Sequence, residues 1–271
     1  MKTLVHLSDL HFGRVDEALL EPLIENVRAT RPDLVVVSGD LTQRARTAQF
    51  REAAAFLARL PSPQVVVPGN HDVPLYNVLA RFLTPLDKFR RHIEPDLTPA
   101  YIDTEVAILG VNTARSLVVK NGRINNDQVA ALRAKLSALS GDIVKVVVTH
   151  HPFDVGSGVD DGDMVGRARM AMTAFAECGV DLLLAGHLHV SHSADTGARY
   201  ALSGYEALVV SAGTATSTRG RGEANSFNVL RLSKQRIEVE RRQWQPEHVR
   251  FAAVSRESFV RRERGWQLAS A

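Results

Sequence analysis

The sequence holds one cysteine, Cys178, in 271 residues. An internal disulfide is therefore excluded, a thiolate-built structural zinc centre is disfavoured, and a reducing compartment fits. Cys178 lies in Phe175-Ala-Glu-Cys-Gly179, which reads as a helix end. A buried structural thiol is expected there, since no electropositive neighbour would activate it. No apolar run is long enough to span a bilayer. Asp9 and His11 follow too short an apolar stretch for a signal peptide, so the expected location is the cytoplasm. Excess charge of one sign is also missing. The formal net charge is +3, too small to argue alone for a nucleic-acid or membrane partner. Internal repeats and low-complexity tracts are absent. With 45% hydrophobic residues, the chain suits one large globular domain that can bury a core without staples.

Short Val-, Ile- and Leu-rich runs recur at residues 3–7, 34–38, 64–67, 106–111, 143–149, 182–185 and 207–211. Several are almost continuously apolar, as strands buried on both faces are. Helical patterns lie between them at residues 18–30, 47–60 and 126–139. The first tolerates Pro22 only near its opening turn, and the last opens on Asn and Asp cap candidates. This alternation predicts an α/β architecture. Beyond residue 202, runs at 207–211, 226–232 and 236–241 read as strands joined by turns, and a second, largely antiparallel sheet packed on the first is expected.

Residues 1–245 form the expected main domain, and residues 246–271 an appendage docking on the core or on a partner subunit. The appendage carries Arg250, Arg256, Arg261, Arg262 and Arg264 with Phe251, Phe259 and Trp266. An anion-binding arm would use the arginines. The favoured expectation is that the aromatics dock while the charges, interspersed with Glu, face water.

Five segments place Asp, His or Asn directly after an apolar strand, often beside Gly. They are Ser8-Asp9-Leu10-His11, Gly39-Asp40, Gly69-Asn70-His71-Asp72, Thr149-His150-His151-Pro152 and Gly186-His187-Leu188-His189. Each alone has an ordinary explanation as a cap, an Asx-turn or a solvated strand end. Together they would converge beyond the carboxyl ends of the strands, where α/β sheets bind ligands. Residues two apart in extended chain point the same way, so Asp9 with His11, and His187 with His189, can each aim two donors at one place. Imidazole and carboxylate suit Zn, Mn or Fe.

These blocks, in this order from Asp9 to His189, resemble the calcineurin-like metallophosphoesterase superfamily, whose signature runs D-x-H, G-D, G-N-H-D/E, H-x-P and G-H-x-H. The resemblance implies a four-layer α/β/β/α sandwich of two stacked mixed sheets flanked by helices, with two divalent or trivalent metal ions (Mn, Fe or Zn) at its rim. By position, Asp9, His11 and His189 would hold one metal, with Asp40 bridging to the second. Asn70, His150 and His187 would complete the second site. His150 precedes Pro152 by two residues, as the family ligand does, which leaves His151 a supporting role. His71 would be catalytic, stabilising phosphoryl oxygens or protonating the leaving group, with Asp72 the candidate to orient it. His6, His92, His192 and His248 are expected to be structural or exposed.

Two such metals would bind a phosphate and activate a water for in-line attack on phosphorus. The loops look most similar to bacterial class III cyclic-nucleotide phosphodiesterases. Phe153 stands where many of those enzymes have a second Pro, and Gln43-Arg44 where a small residue or Asn is frequent. The expected partner is a small phosphodiester, a cyclic nucleotide or glycerophosphodiester; a nucleic-acid partner and a membrane span are not expected, and a homo-oligomer is admissible. Arg14, Arg44 and Arg115 are candidates to neutralise phosphate oxygens. Three competing readings remain at this level. A nuclease would want a long basic groove, and a hydrolase of a pyrophosphate-linked lipid precursor an apolar flap. A non-catalytic scaffold would show decayed ligands, whereas every expected ligand is present.

Overall fold

The computed structural model describes residues 1–269 except 118, 119, 156–159, 203, 220, 221 and 264. The first strands and helices follow the apolar runs: β1 (Lys2–Leu7), α1 (Leu20–Thr30), β2 (Leu34–Ser38), α2 (Thr47–Leu57) and β3 (Gln64–Val67). In α1, Leu23, Ile24 and Val27 form the buried stripe and Pro22 sits in the first turn, where its missing N–H costs nothing. The helix ends at Arg31, whose φ of 49° breaks the ladder before Pro32.

Two short helices, α3 (Val78–Leu83) and α4 (Asp87–His92), then lead to β4 (Ala100–Ile102) and β5 (Val106–Gly110). The next elements are α5 (Asn126–Ser137), β6 (Val144–Val148), α6 (Ala168–Cys178) and β7 (Leu182–Ala185). Asn125 caps α5, accepting from the Gln128 N–H at 2.8 Å, and Gly179 closes α6 at φ 65°. Last come β8 (His192–Asp195), α7 (Gly197–Tyr200), β9 (Leu208–Ser211), β10 (Ser226–Leu232), β11 (Arg236–Gln245), β12 (Arg250–Arg261) and β13 (Trp266–Leu268).

The strands form two mixed sheets. One has the order β13-β12-β11-β10-β1-β2-β3, the other β4-β5-β6-β7-β9-β8. Alternation along the strands generates four layers. Leu4, Val36 and Val65 of the first sheet share a core with Val146, Val148, Leu182 and Leu184 of the second. Their neighbours Val5, Val35 and Val37 face the other way, onto Leu23, Ile24, Phe50 and Phe56 of α1 and α2. Val147 and Leu183 likewise face Leu132, Leu136, Met172 and Phe175 of α5 and α6. Each such side chain contributes about 1.5–3 kcal/mol on burial.

The strands after residue 225 do not build the separate antiparallel sheet expected. β10 pairs antiparallel with β1, because the β1 edge facing away from β2 would otherwise leave buried backbone groups unpaired. Residues 208–211 join the parallel core of the other sheet beside β7. Residues 246–271, expected as an appendage, supply the two outer strands of the seven-stranded sheet. β12 pairs with β11 from Gln245↔Arg250 to Arg236↔Val260. Phe251, Phe259 and Trp266 are buried in the cores, while Arg250, Arg256 and Arg262 are exposed. Arg264 lies outside the described residues. Among the described residues no helix is long and apolar enough to cross a membrane.

Candidate metal centre

Strands β1, β2, β3, β6 and β7 end at one rim, so the loops that follow them meet there. Residues Asp9, His11, Asp40, Asn70, His150, His187 and His189 all stand on these loops. Five of the seven adopt left-handed backbone conformations: Asp9, His11, Asp40, His187 and His189 have φ between 53° and 72°. Such conformations cost about 1–3 kcal/mol each for residues with a side chain and persist only where surroundings impose them. Here backbone pairs impose them. Asp9 N–H donates to Gly39 O at 3.1 Å and His11 N–H to Asp40 O at 2.9 Å. Thr214 and Thr216, after β9, clamp the first loop by donating to Asp9 O and Leu10 O, each at 2.7 Å.

Glycines let the loops approach. Gly39 has φ 91°, and a Cβ there would lie 2.7 Å from His150 Nδ1. A Cβ on Gly69 would overlap Asp40 Oδ1.

The donors point inward in two groups. His189 Nε2 is 3.1 Å and His11 Nε2 3.5 Å from Asp9 Oδ1, and the two imidazole nitrogens are 3.2 Å apart. On the other side of Asp40, His150 Nε2 lies 3.4 Å from Asp40 Oδ1 and 3.1 Å from Asn70 Oδ1. Asp40 Oδ2 faces His11 Nε2 at 3.7 Å, so its two oxygens look toward the two groups.

Hydrogen-bond accounting tests whether a cation fits. Asp9 Oδ2 accepts from Ser8 Oγ at 2.6 Å and His187 N–H at 3.0 Å, yet the buried Oδ1 has no partner. His187 Nε2 is likewise buried and unpartnered. His150 donates from Nδ1 to Ser38 O at 2.8 Å and His189 from Nδ1 to Arg219 O at 3.1 Å, which turns each Nε2 inward. Buried polar groups are normally paired, so an orphaned carboxylate oxygen in the first group and an orphaned imidazole nitrogen beside His150 in the second fit cations. Burial alone would raise Asp9 and Asp40. The facing imidazoles, His189 for Asp9 and His150 for Asp40, outweigh it and hold both carboxyls below the usual range. Burial, reinforced by His150, pushes His187 down to about 4 and keeps its ring neutral.

His151 is close to His150 and His187 but its valences are taken. Thr113 Oγ1 meets its Nδ1 at 2.8 Å, and its Nε2 donates to Lys120 O at 3.0 Å. It ties Thr113 and Lys120 to the rim. His6 is buried with Nε2 2.9 Å from Ser38 Oγ, outside both groups.

His71 flanks the cluster and lines a cleft of about 130 Å³ together with Gln43, Arg44, Asn70, Arg81 and Lys120. Its Nδ1 donates to Gln43 O at 2.9 Å, turning Nε2 toward the cleft. Asp72, expected to orient His71, does something else. Its carboxylate accepts from the N–H groups of Leu41, Thr42 and Gly69 and from Thr42 Oγ1, all within 3.2 Å, and so ties two ligand loops together.

One residue escaped the sequence reading. Arg219 Nη1 donates to His71 Nε2 at 3.1 Å and to Gln43 Oε1 at 3.4 Å, while its carbonyl holds His189. It stands on the loop after β9, at the same rim as the other blocks, which was the available signal. Of the arginines named instead, Arg44 lines the cleft. Arg115 is spent on Ala114 O and Gln128 Oε1, and Arg14 is exposed.

Comparison with known proteins agrees with this architecture. The family model for calcineurin-like phosphoesterases matches residues 2–191. A glycerophosphodiester phosphodiesterase GpdQ of Enterobacter lignolyticus is 30% identical over 161 residues, 55% of this chain and 56% of that protein. The chain thus spans little more than half of that relative. The 3',5'-cyclic adenosine monophosphate phosphodiesterase CpdA of Escherichia coli K12 is 27% identical over 217 residues, 74% of each chain. A cAMP/cGMP dual specificity phosphodiesterase of Mycobacterium tuberculosis is 29% identical over 265 residues, 84% of this chain and 75% of that protein. Among solved structures, a dimetal phosphatase from Danio rerio superposes with a TM-score of 0.62 at 16% identity, covering 94% of this chain and 98% of that one. That likeness concerns the fold.

Proposed function

The chain belongs to the calcineurin-like phosphoesterase family, and from that premise we propose that it is a two-metal phosphodiesterase acting on a small diester of the cyclic-nucleotide or glycerophosphodiester type. The observation that carries the reading is the buried cluster of Asp and His side chains around Asp40, in which Asp9 Oδ1 has no hydrogen-bond partner, with His71 beside it lining a cleft. The three relatives named above, all phosphodiesterases, support the diester.

Asp9, His11 and His189 would hold one cation, His150, His187 and Asn70 the other, with Asp40 between them through its two oxygens. The ions would supply Lewis acidity and an activated water. The chain's own residues do the rest. His71 donates from Nδ1 to Gln43 O and accepts from Arg219 Nη1 at Nε2, so it holds that guanidinium beside the cleft; to protonate the departing oxygen it would have to release Arg219 and take up a proton at Nε2. Arg219 keeps Nη1 on His71. Its remaining N–H groups have no partner among the described residues and can fork onto a phosphoryl oxygen. Arg44 adds positive charge at the cleft, and Lys120 stands there paired with Asp163. The neutral Asn70 oxygen binds without adding negative charge that would blunt the cations.

The test is hydrolysis of bis(p-nitrophenyl) phosphate by metal-stripped protein, before and after Mn²⁺ is restored. Activity should return with the metal and exceed that on p-nitrophenyl phosphate. Metal-loaded, folded protein that cleaves the monoester alone, or neither ester, overturns the diesterase reading.

A further inference from the structure

Helix α3 is inside out. Of its six residues, Val78-Leu79-Ala80-Arg81-Phe82-Leu83, the charged one is buried and the four large apolar ones face solvent. Arg81 points inward, donating from Nε to Ser116 O at 2.7 Å and from Nη1 to Pro74 O at 3.0 Å. Val78, Leu79, Phe82 and Leu83 stand side by side at helical spacing on the opposite face. With Tyr76 and Leu117 they make six of the eleven large hydrophobic side chains exposed among the described residues. Scattered exposed hydrophobics need no explanation, but a cluster on one helix does.

The cluster lies at the mouth of the catalytic cleft. Tyr76 stacks against Arg44, with the guanidinium carbon 5.7 Å from the ring, and Arg44 lines the cleft beside His71. Leu75 and Arg81, which bracket the start of α3, line the same cleft. Leu83 and Ser116, the neighbour of Leu117, share the adjoining hollow, and Val73 belongs to both. Residues 73–86 contain no Asp or Glu. The surface is therefore apolar outside and cationic inside, toward the phosphate-cleaving groups.

We propose that this rim seats the apolar part of an amphiphilic substrate, a phosphodiester carrying an alkyl or acyl chain. The inference rests on the phosphodiesterase reading and adds the substrate class. An anionic diester at Arg44 with a chain laid along Leu79 and Phe82 satisfies both halves of the surface at once. A second copy of this chain would bring a like-charged rim against it.

Two chromogenic diesters that differ only in chain length test this: p-nitrophenyl decyl phosphate, kept below its micelle concentration, and p-nitrophenyl methyl phosphate. The wild-type chain should prefer the decyl ester at least tenfold in kcat/KM, and the Leu79→Ser/Phe82→Ser double variant should bring that ratio close to one. A ratio near one in the wild type, or one unchanged in the double variant, overturns the proposal. If metal-loaded protein hydrolyses neither ester, the phosphodiesterase reading fails, and calorimetric binding of decylphosphocholine then decides. Binding that the double variant loses upholds the rim as an amphiphile site, and no binding overturns it. A wild-type dimer in sedimentation velocity that the double variant converts to monomer, with no chain-length preference, assigns the rim to self-association and also overturns it.

Discussion

Arg219 Nη1 lies 3.1 Å from His71 Nε2, joining two residues 148 positions apart at the edge of the Asp and His cluster. The backbone of Arg219 meets His189 while its side chain reaches His71 and Gln43 beside the cleft, so truncation should spare the proposed ligands and remove a phosphate donor. Arg219→Ala is expected to lower kcat/KM on bis(p-nitrophenyl) phosphate about 10²–10³-fold, with bound metal unchanged by mass spectrometry. Arg219→Lys should recover little, because an ammonium cannot keep His71 and fork onto an oxygen together. Loss of metal in either variant would count against a substrate role.

Gly186 is packed against the first ligand loop. A Cβ there would overlap Ser8 Oγ and lie 2.6 Å from Asp9 Oδ2. Gly186→Ala should therefore displace the Asp9 carboxylate and weaken metal affinity about 10–100-fold. Competition with a chelating indicator reads this directly, and wild-type affinity in the variant would refute it.

Asp72 satisfies three buried N–H groups from two ligand loops. Asp72→Ala leaves them without an acceptor and should cost about 3 kcal/mol or more in urea unfolding. The same unfolding curves should show Asp72→Asn retaining part of that stability, since one side-chain oxygen remains. Equal losses in the two variants would mean that the N–H groups had found other partners.

Burial holds His6 down at about 3, against about 6.5 unfolded. Between those values the unfolded chain binds one proton more than the native one, so stability rises with pH and is lost on acidification, by about 1.4 kcal/mol per pH unit from this residue. His6→Gln, which carries no such proton, should show a slope of stability between pH 6.5 and 5 shallower by that amount. Urea titrations at several pH values measure it, and parallel slopes would show His6 to titrate normally in the fold.

The core strands were legible because burial on both faces writes itself as unbroken Val and Leu runs, as in residues 34–37 and 182–184. α3 was not. Its apolar residues fit neither a core-facing stripe nor a strand, since their partner is not the core of this chain. β12 was hidden because exposed Ser, Arg and Glu dominate its solvent faces, and Phe251 and Phe259 read equally well as a docked tail.

Local chemistry determined the set of donors: Asp, His and Asn directly after apolar strands must emerge at one rim, because parallel strands end together. Which donors remain available was decided by the tertiary structure. His151 and His187 are adjacent in the fold and alike in the sequence, but Thr113 and the Lys120 carbonyl occupy both nitrogens of one, while Nε2 of the other is left bare. Asp72 was drawn away from His71 by three backbone N–H groups, and Arg219 was brought to it by the loop after β9. A side chain's valences are filled by neighbours distant in the chain, so its residue type and spacing set what it can bind, and the packing of the loops sets what it does bind.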